Sequence, residues 1–78
     1  ALPIYNLTIQ YNLQNSSLVK IELLDMLGKS VKLLLPETQQ DIEFHKKSWQ
    51  INDISSGLYF IKMMINGTES TIKLSVSN

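Results

Sequence analysis

The chain holds one histidine, His45, set in "FHKK" beside two lysines. An imidazole that titrates near neutrality is the side chain best suited to moving a proton. With the serines and the three aspartates, Asp25, Asp41 and Asp53, the residue types of a Ser-His-Asp triad are all present. The arrangement is not. No nucleophile-elbow turn arms any serine, and no other hydrolase motif surrounds the histidine. A metal at His45 would need partners at ligand spacing, which the sequence does not offer, and the absence of cysteine excludes thiolate sites. His45 is therefore expected as a solvated strand residue.

Each aspartate stands beside a turn. Strand-end loops of β-sandwiches bind calcium through such carboxylates and nearby carbonyls, and isolated aspartates equally cap turns by accepting backbone N–H groups. Trp49, Tyr59 and Phe60 have the flat faces that stack on sugar rings, but Trp49 and Tyr59 fall at positions alternating with core residues, so packing is their expected use. Asn6, Asn15 and Asn66 open N-x-Ser/Thr triplets, which matter only in a glycosylating pathway, and Asn66 is expected in a turn instead.

The bulk numbers narrow the function further. Seventy-eight residues make one small domain with no disulfide; such a chain buries roughly 60–65% of its unfolded surface. Seven lysines balance seven acids, there is no arginine, and the net charge is zero. The long-range positive field that gathers phosphates is missing, which argues against a nucleic-acid partner. "VKLLL" and "LYFIKMMI" are far short of the roughly 20 apolar residues of a spanning helix. "ALPIYNLTIQ" has neither the basic start nor the apolar core of a signal peptide. Opening on Ala, the sequence is expected to be one domain, residues 1–78, cut from a longer protein.

Period-two alternation dominates the chain. Leu7, Ile9, Tyr11 and Leu13 share one face of a first strand, and Val19, Ile21 and Leu23 one face of a second. Gly28 supplies the positive φ of a short bulged hairpin connection. Val31, Leu33 and Leu35 then alternate with Lys32 until Pro36, which is expected to end the strand and open a polar crossover, "PETQQD". Ile42 and Phe44 are expected to share a face, as are Trp49 and Ile51. "NDISSG" reads as a turn with Gly57 at a left-handed position. In the next strand Tyr59, Ile61, Met63 and Ile65 occupy one face and Leu58, Phe60 and Met64 the other. With Lys62 the only charge, that strand is placed centrally. Asn66-Gly67 is a strong two-residue hairpin signal, followed by Ile72, Leu74 and Val76 alternating with Lys73 and Ser75. Six to seven short strands spaced roughly ten residues apart, without an amphipathic helix, predict an all-β, immunoglobulin-like antiparallel β-sandwich.

Two motifs carry a family resemblance. "VKIELLDMLGKSV" contains Asp25, Gly28, Lys29 and Val31 in an Asp-x-x-Gly-Lys-x-Val pattern. About thirty residues later, "ISSGLYFIK" supplies Ile54, Gly57, Leu58, Tyr59, Phe60, Ile61 and Lys62, followed by a glycine turn at Gly67 and a closing strand with Lys73. In this order and spacing, residues 7–78 resemble the C-terminal sorting domain of the type IX (Por) secretion system, type A, of Bacteroidetes exported proteins. Two features depart from that family. Its opening Asn-Pro-Ala-like motif is represented only by Pro3, and the chain closes on Ser-Val-Ser-Asn instead of basic residues. A flagellar-hook-cap type immunoglobulin-like module shares the Asp-x-x-Gly and Gly-x-Tyr pattern.

The resemblance implies a non-enzymatic secretion signal without cofactor, carried to the surface or the medium via the periplasm and outer membrane. Its implied partners are the outer-membrane translocon, shuttle and sortase components and a cargo domain N-terminal to this segment. Asp25, Gly28, Lys29, Gly57, Tyr59, Lys62, Gly67 and Lys73 are the recognition or motif residues it marks. Gly57 and Gly67 would set the backbone of the terminal hairpin, and Lys62 and Lys73 would present polar groups on its outer side. An unprotected edge strand would allow partner pairing or a homodimer. The alternative reading is a structural or carbohydrate-binding accessory sandwich of a secreted enzyme.

Overall fold

The computed structural model describes residues 4–52 and 54–77. Within them the chain forms β1 (Ile4–Asn12), β2 (Ser17–Leu24), β3 (Ser30–Gln40), β4 (Phe44–Asn52), β5 (Gly57–Ile65) and β6 (Thr68–Val76), joined by short connections. All pairings are antiparallel, in a two-stranded sheet β1-β4 and a four-stranded sheet β3-β2-β5-β6. The order and pairing match strands B and E against C′, C, F and G of an immunoglobulin-like sandwich. The sandwich expectation holds, with six strands among the described residues.

The alternating residues explain the layering. Leu7 and Ile9 from one sheet, with Leu13 just past the end of β1, meet Val19, Ile21, Leu23, Tyr59, Ile61 and Met63 from the other in one buried cluster. Trp49 fixes the sheets edge to edge: its ring packs on that cluster, and its indole N–H donates to the Leu34 carbonyl at 2.8 Å. As expected, β5 is central, flanked by β2 and β6.

Several expectations are corrected along β3. The strand does not end at Pro36 but runs on to Gln40, with Gln39 and Gln40 opposite Leu18 and Ser17. The crossover is confined to residues 41–43. β3 is an edge strand, where a proline lacking an N–H and a run of polar residues are both tolerated. The β2–β3 register also slips three times. Each slip changes which side chains face inward, so Leu34 is buried while Val31 and Leu33 are exposed. Ile42 and Phe44 are exposed too. Phe44 alternates with the inward residues of β4, of which Ile51 is buried and Trp49 half-buried. Ile72 is 60% exposed although it lies opposite Ile61, because a layer of two strands cannot cover all four strands of the other.

His45 is half-buried, its ring stacked on Tyr11 with centroids 5.1 Å apart. Its Nε2–H donates to the Asp41 carbonyl at 2.8 Å, closing the crossover. Burial pushes the Tyr11 phenol above its ordinary 10.0. The folded form therefore holds its proton longer than the unfolded chain does. That contribution to stability is complete below about pH 10 and is lost as pH rises through the folded value. Thermal unfolding followed across this range should show the decline, and Tyr11→Phe should show a shallower one.

Candidate functional site

The two motif segments meet at one end of the sandwich. The β2–β3 turn is built by Asp25: its Oδ1 accepts the backbone N–H groups of Leu27 and Lys29, both at 2.9 Å, and its carbonyl accepts Gly28 N–H at 3.0 Å. Gly28 takes a φ of 83°, where a side chain would be strained. Asp25 is thus a turn cap, as one of the two readings of such aspartates expects. Asp25→Ala removes two charge-assisted bonds and should cost about 1–3 kcal/mol. Asp25→Asn retains an acceptor and should cost less; a chemical-denaturation midpoint for each separates the two.

Across from this turn, the 54–56 segment enters β5. Tyr59 is buried and its hydroxyl donates to the Ser55 carbonyl at 2.8 Å. A tyrosine at the start of the sixth immunoglobulin strand, bonded a few residues upstream, is the tyrosine corner of such sandwiches. The aromatic platform is not formed by Tyr59 or Trp49, since the first is buried and the second is packed against the core. Gly57 has a φ of 157°, a positive value that side-chain-bearing residues rarely adopt, as expected for a glycine at this turn. An open groove of about 230 Å³ runs between the two segments, with Asp25, Met26 and Leu27 on one wall and Ser56, Gly57, Leu58 and Tyr59 on the other.

The remaining marked residues lie elsewhere. Lys62 and Lys73 face outward on the four-stranded sheet, Lys73 directly opposite Phe60. Lys62 approaches Glu69 at 3.7 Å, a surface contact of small energetic weight. Gly67, at φ 82°, forms with Asn66 the hairpin turn at the opposite end. The structure therefore gathers Asp25, Gly28, Lys29, Gly57 and Tyr59, leaves Lys62 and Lys73 along the sheet, and sets Gly67 apart. Asp53, Pro3 and Asn78 lie outside the described residues. Sequence reasoning passed over Met26 and Leu27, which are 66% and 93% exposed. Two bulky apolar residues inside a turn sequence, "DMLGK", were the available signal. No group of three potential metal ligands occurs among the described residues, and none of their helices is long and apolar enough to cross a membrane.

A family model of the secretion system C-terminal sorting domain matches residues 5–77. The chain belongs to that family. No curated protein and no solved structure matches it. The sorting domain is the signal by which the type IX secretion system takes proteins across the outer membrane, to the cell surface or the medium. It is a non-catalytic signal that engages the secretion machinery. The geometry suits such a role: Asp25, Gly28, Gly57 and Tyr59 define backbone shape at one end of the sandwich.

Proposed function

We propose that residues 1–78 act as one independently folding address, attached to a cargo domain on their N-terminal side and read through the terminal hairpin β5–β6. The single observation that carries this reading is the asymmetry of the two outer strands of the four-stranded sheet. β3 is broken by Pro36 and three register slips, devices that blunt an edge. β6 runs nine residues in unbroken register with β5 and, among the described residues, pairs with no strand on its other side. Such an edge suits strand addition by a partner, with backbone hydrogen bonds giving affinity and alternate side chains specificity. Gly67 sets the hairpin, Lys62 and Lys73 face the partner, and Asp25, Gly28, Lys29, Gly57 and Tyr59 hold the frame that positions them. The partners are the translocon in the outer membrane, the shuttle and the sortase.

The test is a fusion of the chain to a fluorescent reporter with an export leader, in cells with and without the translocon. Surface or medium fluorescence should require both the translocon and residues 69–78. Reporter held in the periplasm despite a folded domain and an intact translocon would overturn the reading. The same free edge supports a second reading, a homodimer through β6, for which sedimentation of the isolated chain should show a two-fold mass that Ile72→Lys abolishes.

A further inference from the structure

The motif end carries an exposed apolar surface that the fold does not require. Asp25 and Gly28 fix the turn through backbone groups, so positions 26 and 27 are free to be polar. They are Met and Leu, two-thirds and almost wholly exposed. Singly, exposed apolar residues are ordinary. Here they are continuous with others. The groove they wall has Leu58 opposite, and Leu58 leads along the outer face of β5 to Phe60, which lies directly across from Leu24.

Charge around this surface is unbalanced locally although the chain is neutral overall. Asp25, in the groove wall, keeps its charge while its Oδ1 accepts two backbone N–H groups, Glu22 lies 3.8 Å from Lys20, and Glu69 lies 3.7 Å from Lys62. Lys29, in the turn, and Lys73, opposite Phe60, have no carboxylate within ion-pair distance among the described residues, so one lysine charge remains in excess. An apolar centre with unpaired cations at its margin is the anatomy of a protein interface, in which desolvated anchors supply affinity and rim charges select the partner.

We infer that Met26, Leu27, Leu58 and Phe60, flanked by Lys29 and Lys73, form the face through which the domain docks into an apolar cleft of the secretion machinery rimmed by carboxylates. The inference rests on the reading above, that the folded domain is bound by that machinery, and it names where and by what chemistry. Two lysines fall short of the roughly 4–8 clustered cations that recognise anionic lipid, and the concave groove beside Leu27 fits a protein side chain better than a bilayer. Leu27 enters the cleft, a partner side chain fills the groove, and Lys29 and Lys73 meet acids at its edge.

The test places a photoreactive amino acid at position 27, or at Phe44 on the opposite end, in the reporter fusion within cells running type IX export. Position 27 should crosslink to a protein of the machinery. Lys29→Glu with Lys73→Glu should reduce both that adduct and export about tenfold, the effect of weakening a charge-selected contact. Lys46→Glu with Lys47→Glu, on the other sheet, should leave both unchanged. Thermal unfolding confirms that each variant is folded. Leu27→Ser should lower the adduct from a probe at position 26 by a similar factor. Adducts to lipid, adducts from Phe44 alone, or undiminished export of the Lys29/Lys73 variant would overturn the inference. Export of the unsubstituted fusion that ignores the translocon would instead sink the sorting reading beneath it.

Discussion

Tyr59→Ala is expected to destabilise the domain by about 3–5 kcal/mol, the range for deleting a buried aromatic ring. A 78-residue domain commands about 4–12 kcal/mol in total, so the variant sits at or below the folding threshold at growth temperature. Two losses combine. The ring leaves a cavity where β5 enters the core, and the hydroxyl no longer ties the strand to the Ser55 carbonyl. Tyr59→Phe isolates the second loss and should cost about 1 kcal/mol. Urea unfolding of the three proteins gives both figures. A Phe variant as unstable as the Ala variant would show that the corner bond, and not the ring, holds this end together. Because Tyr59 is 8% exposed and its hydroxyl is bonded to Ser55, the loss of export in Tyr59→Ala should follow chiefly the loss of folded protein. A Phe variant that is folded should still be exported.

Ile21→Ala should cost about 2–5 kcal/mol. Ile21 is fully buried in β2, between β3 and β5. Leu33→Ala in the adjacent strand is the natural comparison. Leu33 is 47% exposed, and its removal should fall within about 1 kcal/mol. Denaturation midpoints of the two variants test the assignment of faces directly. If Leu33→Ala were the more damaging, the register slips of β3 would be misplaced. Ile21→Ala also separates two ways of losing export: it leaves every motif residue and every surface charge in place, so a loss of secretion must come through unfolding.

Where alternation met a regular ladder, residue pattern was enough to place the fold. Leu7 and Ile9 in β1, Val19 to Leu23 in β2 and Tyr59 to Met63 in β5 are inward as the period of two requires, and Asn66-Gly67 takes the positive φ angles of its turn. Alternation failed where the ladder is irregular. In β3 the slips turn Leu34 inward, and no local signal in "SVKLLLP" distinguishes it from Leu33 and Leu35. Pro36 misled for a related reason: it forbids a central strand but not an edge, and edge position depends on pairing forty residues away in the chain as much as on composition. The 60% exposure of Ile72 follows from how far the opposite sheet extends, which no strand encodes by itself. At the motif end, the aspartate and glycines were legible as turn chemistry. The corner bond of Tyr59 and the meeting of both motifs around one groove needed the topology, since Asp25 and Gly57 are brought together only by the β2–β5 pairing.

The central place of β5 also ties formation of the sandwich to synthesis of the second half of the domain. Its pairing with β2 joins segments roughly forty residues apart, and β6 can add only after β5 is in place. Residues 4–52 alone offer β2 one neighbour, the slipped and proline-bearing β3, and leave Val19, Ile21 and Leu23 without the strand that encloses them. A nascent or prematurely terminated chain that stops short of β5 would therefore present no sandwich, no corner and no groove between the motif segments. Formation of the sandwich therefore reports that synthesis has proceeded through β5.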